Sequence, residues 1–138
     1  MCSSDLSSDD PPDFQTARAG RSADALAPDG SEIRLLGAVR GGGVVHCTLP
    51  PGRTSLAVRH RTVEEIWYVL GGRGQVWRGL GPREEVVDVE PGVALTIPLG
   101  VHFQFRTVGS EPLRFVIVTI PPWPGAEEAV RVKDHWET

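Results

Sequence analysis

The sequence predicts an all-β domain built as a small barrel or sandwich. Short apolar runs recur from Ile33 to Ile120. Glycine- and proline-rich turn signals separate most of them. No sustained helical period occurs before residue 125.

Taken in order, Ile33, Leu35, Leu36 and Val39 open the series, and glycines 41–43 divide them from Val44, Val45 and Leu49. PPG at 50–52 closes that run. Further runs lie at Leu56–Arg59, Ile66–Leu70, Gln75–Trp77, Val86–Val89, Ala94–Ile97, Phe103–Phe105 and Leu113–Ile120. The punctuation between them is GGRG at 71–74, GLGPRE at 79–84, EPG at 90–92, PLG at 98–100 and GSEP at 109–112, all sequences that reverse a chain. PPWPG at 121–125 cannot pair as a central strand, and GAEEAVRV at 125–132 reads as a short helix after it. Trp123, held between prolines, suits a plug across a barrel mouth.

The 138 residues make one domain. Residues 1–22, rich in Ser, Asp, Pro, Ala and Arg, read as a disordered tail, and 23–138 as the folded unit. The net charge of −4 offers nucleic acid and acidic membranes no basic surface. No apolar run approaches the ~20 residues that span a bilayer. The opening residues lack the order of a secretory signal, and two distant cysteines, Cys2 and Cys47, make no disulfide framework, so a reducing cytoplasm is expected. Cys47 reads as a small core residue. Several strands, IWYVL and FVIVTI among them, are apolar on both faces, as either contact with a partner subunit or two faces of one monomer core would require.

Candidate chemistry sits at two segments. The first, around the turn after PPG, carries His60, Glu64 and Glu65; the second carries His102. His46 lies just before PPG. These segments resemble the two motifs of the cupin superfamily, whose fold is a double-stranded β-helix or jelly-roll barrel. Gly52, His60, Glu65 and Gly72 match the first motif, with Val58 at its first histidine. Gly92, Pro98 and Gly100 match the second, with Phe103 at the histidine position, Thr107 at the asparagine and His102 one residue early.

The resemblance implies a barrel pocket, a small organic ligand, pairing as a homodimer and, in metal-binding members, Fe, Mn, Ni or Zn held by three histidines and a glutamate. Here the set on offer is His60, Glu65 and His102, assisted by His46 or Glu64. Two registers remain open for the second motif. One turns Phe103, Phe105 and Thr107 inward; a one-residue slip turns His102, Gln104 and Arg106 inward instead. Trp67, Trp77, Phe103, Gln104 and Arg106 are the candidate ligand-binding residues, and Glu64 or His102 the candidate proton-transfer group. Three functions follow: a metal-dependent cupin enzyme, a metal-free ligand-binding cupin, or an assembly module acting through the apolar strand face.

Overall fold

The computed structural model describes residues 14–138. Most of the expected tail, Cys2 included, lies outside the described residues, and 14–22 form no strand or helix.

The described residues form eleven strands: β1 Ala25–Leu26, β2 Glu32–Val39, β3 Gly42–Leu49, β4 Val58–His60, β5 Glu64–Gly71, β6 Arg73–Leu80, β7 Arg83–Val89, β8 Ala94–Ile97, β9 His102–Val108, β10 Leu113–Ile120 and β11 Ala129–Arg131. They form two antiparallel sheets that face each other as a jelly roll, one in the order β1-β2-β3-β10-β5-β8 and the other β11-β4-β9-β6-β7. Each apolar run of the sequence becomes one of these strands. The expected helix over 125–132 is reduced to a single 3-10 turn, Ala126–Glu128, and the residues after it pair as β11 with β4.

Period-two burial decides which side chains enter the barrel. Along β5, Glu65, Trp67, Val69 and Gly71 are buried, while Glu64, Ile66, Tyr68 and Leu70 face out. Trp67 stacks on Phe115 with centroids 4.5 Å apart and meets the edges of Phe103 and Phe105 at 5.6 and 5.2 Å. Cys47, Leu49, Val76 and Leu113 complete this packed end of the interior. The sheets turn tightly at Gly72, whose φ is +75° and where an added Cβ would fall 2.1 Å from the Pro112 carbonyl oxygen. Only glycine fits there.

The C-terminal segment is a strap across the second sheet. Glu128 is anchored by the Thr62 and Val63 amides and the Thr62 hydroxyl, which all donate to its carboxylate. Asp134 accepts from the Ala57 amide. The strap ends on Gln104, which is 0% exposed. The Gln104 amide nitrogen donates to the Ser55 and Trp136 carbonyls, and its oxygen accepts from the His135 and Trp136 amides.

Candidate functional site

A cavity of about 220 Å³ opens beside the aromatic core, between residues 25–29 and the strap. β4 contributes Val58 and His60, β5 contributes Glu65 and Trp67, and β9 contributes Phe103 and Phe105. Thr119, Asp29 and Ser31 supply the remaining polar lining, and Trp123 and Ala126 bring the strap to its mouth.

His60 and Glu65 form the polar centre. His60 is 4% and Glu65 5% exposed, with His60 Nδ1 3.9 Å from Glu65 Oε2. The Trp67 indole N–H donates to Glu65 Oε1 at 2.8 Å, while His60 Nδ1 has no hydrogen-bond partner among the described residues. Phe103 and Trp123 press edge-on against the imidazole from 5.1 and 5.2 Å. Burial pushes the Glu65 carboxyl up to about 8; the Trp67 bond opposes this and the nearby Asp29 and Glu128 carboxyls add to it. Burial pulls His60 down to about 4, partly offset by Glu128. Both are therefore uncharged at neutral pH. Burial also raises Asp29, against bonds from Ser31. At Glu128 burial acts the same way, but the bonds from Thr62 and Val63 overcome it and hold the carboxyl below its usual range.

The register left open by the sequence is the one with Phe103 and Phe105 inside. Val58 pairs with Phe103 across β4 and β9, and both line the cavity. His102, Gln104 and Arg106 accordingly stand on the outer face, opposite Gly79, Trp77 and Gln75 of β6. His102 thus does not join His60 and Glu65 as a ligand or proton-transfer group. Gln104 holds the strap instead of a ligand. Arg106 is occupied by Gln75 Oε1 and lies 4.3 Å from the Trp136 ring. Trp77 is also outside the cavity, stacked on His135 at 5.1 Å with its indole N–H on Glu84. Period two removes Glu64 as well; its carboxylate accepts from the Leu99 amide at the surface. His46 alternates with the buried Cys47 and faces outward between Arg34 and Val116, where burial, Arg34 and Arg114 lower its pKa.

Asp29, Ser31 and Thr119 are lining residues that the sequence reading missed. Thr119 was accessible to it, being the next inward position after Leu113, Phe115 and Ile117 on an alternating strand. Asp29 belongs to a PDG turn, and no local pattern marks a turn residue as a pocket wall.

A model of the cupin domain matches residues 45–119. The chain is a cupin. A curated relative, an uncharacterized protein of Methanocaldococcus jannaschii, is 31% identical over 75 residues, which cover 54% of this chain and 57% of that protein. Among solved structures, Bacillus subtilis oxalate decarboxylase superposes with a TM-score of 0.68 at 14% identity, over 81% of this chain and 30% of the enzyme. The Cnp3 cupin domain of Schizosaccharomyces pombe superposes with a TM-score of 0.60 at 12% identity, over 66% of this chain and 64% of that one. At these identities the structural matches establish the fold. The chain spans little more than half the length of its curated relative and under a third of the decarboxylase.

The B. subtilis decarboxylase carries Mn(II) centres. In this cupin the donor set for such an ion is short. Of the four motif positions only His60 and Glu65 can ligate, and Glu65 Oε1 already accepts the Trp67 bond. Among the described residues no three His, Cys, Asp or Glu side chains are grouped to hold a metal. A zinc-type site takes three or four protein ligands. Two donors among phenylalanine, valine and tryptophan do not fit one.

Proposed function

We propose that this cupin binds a small, mainly apolar organic molecule in its barrel, through His60 and Glu65, without a metal ion. The observation that carries this reading is the replacement of two ligand positions by Val58 and Phe103, both buried against the surviving pair. Apolar walls with a few convergent polar groups are the usual make-up of a small-molecule site. An apolar cavity of roughly 150 Å³ accepts benzene, so one of this size suits about eight to ten non-hydrogen atoms. His60 and Glu65 together offer a proton acceptor and a proton donor at neutral pH, which orients a polar group on the ligand.

Protein expressed without added metal, analysed for its elements and titrated with small aromatic probes by tryptophan fluorescence, tests the reading. The expected result is substoichiometric metal and probe binding that a chelator leaves unchanged. One divalent ion per chain, with binding lost on chelation, would overturn it.

The proposal includes a homodimer. The outer face of the first sheet exposes Ile66, Tyr68, Leu70, Val44 and Ile120 on adjacent strands. Such an apolar patch suits a partner copy that presents the same patch across a twofold axis. Sedimentation of the wild type against Tyr68→Glu measures this directly, and a wild-type monomer sinks it.

A further inference from the structure

Fourteen lysines and arginines occur in the chain, and none lines the cavity. Its ionisable lining is His60, Glu65 and Asp29. A third carboxylate, Glu128, lies close enough to act on both His60 and Glu65. An anionic ligand would meet three carboxyl groups and no counter-charge. The hydrogen-bond inventory points the same way. Three of the lining's donors are spent internally: Trp67 Nε1–H on Glu65 Oε1, the Ser31 hydroxyl on Asp29 Oδ1 at 2.6 Å, and the Thr119 hydroxyl on the Gly43 carbonyl at 3.5 Å; the Trp123 indole N–H and the His60 N–H are the others. Acceptors are left over. Among the described residues no donor bonds to Glu65 Oε2, and His60 Nδ1, on a residue 96% buried that lines the cavity, has no partner. A ligand that complements this lining brings donors and positive charge.

We propose that the ligand is a small organic amine, bound as its ammonium ion, with the charged head at Glu65 and His60 and the apolar body against Trp67, Phe103 and Phe105. The inference rests on the reading of the barrel as a metal-free ligand pocket. On binding, the ammonium's charge displaces the proton that Glu65 holds in the free protein, which leaves to solvent. The ammonium then donates to Glu65 Oε2 and to His60 Nδ1, with His60 as its Nε2–H tautomer, and Asp29 adds negative potential from the rim. Aromatic walls contribute further attraction for a desolvated cation.

Three probes of matched size separate charge from shape: benzylamine, benzyl alcohol and benzoate, each titrated at neutral pH by calorimetry and by Trp67 and Trp123 fluorescence. The expected order is benzylamine at least about tenfold tighter than benzyl alcohol, equivalent to about 1.4 kcal/mol, with benzoate weakest. Glu65→Gln keeps an oxygen for the Trp67 bond and should abolish the preference for benzylamine over benzyl alcohol. Asp29→Asn should reduce the preference without abolishing it, and checks the result if Glu65→Gln folds poorly. Benzyl alcohol or benzoate binding as tightly as the amine, or an amine preference that survives Glu65→Gln, overturns the charge assignment while sparing the pocket. Failure of all three probes to bind overturns the pocket reading and the amine with it.

Discussion

Replacing Glu65 with glutamine isolates the energetic consequence of burying a carboxyl beside Trp67. The amide preserves volume and the Trp67 bond but cannot ionise. In the native protein Glu65 holds its proton up to about 8, against an ordinary value of 4.5. Between those limits the folded state binds more protons than the unfolded state, so stability falls as pH rises. His60 acts oppositely: held at about 4 instead of 6.5, it makes the folded state bind fewer protons, and stability is lost as pH falls through that window. The two slopes offset each other between about 4.5 and 6.5, and above that Glu65 acts alone. At about 1.4 kcal/mol per pKa unit, wild type should lose roughly 2 kcal/mol between pH 6.5 and 8 and then level off. Asp29, also raised, contributes a loss of the same sign that begins at lower pH. Urea denaturation followed by tryptophan fluorescence at pH 6.5, 7.25 and 8 reads this directly. Glu65→Gln should be nearly flat across that interval and, with Glu65 no longer offsetting His60, should be less stable relative to wild type on acidification from pH 6.5. Parallel wild-type and variant curves above pH 6.5 would refute the argument that Glu65 is a neutral buried acid.

Gln104→Leu removes three hydrogen bonds that tie the strap to the barrel and a fourth to the Ser55 carbonyl. At about 1 kcal/mol each, with the freed tail amides regaining water and the Ser55 carbonyl left unpaired, the expected loss is about 2–4 kcal/mol. Proteolysis should then cut within 133–138 faster than in wild type, while circular dichroism keeps the strand signal. Val58→His combined with Phe103→His supplies the two absent motif ligands next to His60 and Glu65. This double variant should bind close to one Zn or Mn per chain, seen by elemental analysis, and be destabilised by roughly 2–4 kcal/mol without metal because the Trp67 packing loses its phenylalanine. Failure to take up metal would mean that the strands do not aim these positions at a common point.

The barrel was legible because its turns demand glycine and proline and its strands sit between them. Each apolar run from Ile33 to Ile120 became a strand for that reason. The elements that escaped were held by distant pairing. β1 is two residues long, and the AVR of β11 has helical propensity that the open edge of β4 overrides. Inside the site, alternation alone separates Glu65 from Glu64. His102 against Phe103 was harder, because Gln104 looks like a pocket residue and is fully buried, yet it is buried under the strap on the other face of β9. No local pattern tells a polar side chain covered by its own C-terminal segment from one that faces a ligand. The charge of the lining was equally hidden, since it depends on which arginines stay outside.

The way β4 is held has a consequence for native-state fluctuations. β4 carries Val58 and His60, yet it meets β9 through a single laddered pair and meets β11 through three. Its hydrogen bonding therefore depends more on the strap than on the body of the sheet. Proteins open in cooperative units smaller than the whole, along boundaries where few contacts cross. Here the natural unit is β4 with residues 121–136, and its release would unroof the cavity while β3, β5, β6, β9 and β10 stay paired. The amides of Arg61 and Val132, which donate to Glu128 and Ala57 across this unit, should exchange with solvent together and sooner than those of β10. A molecule seated against His60 would slow both at once, so their exchange reports occupancy of the barrel before any ligand has been identified.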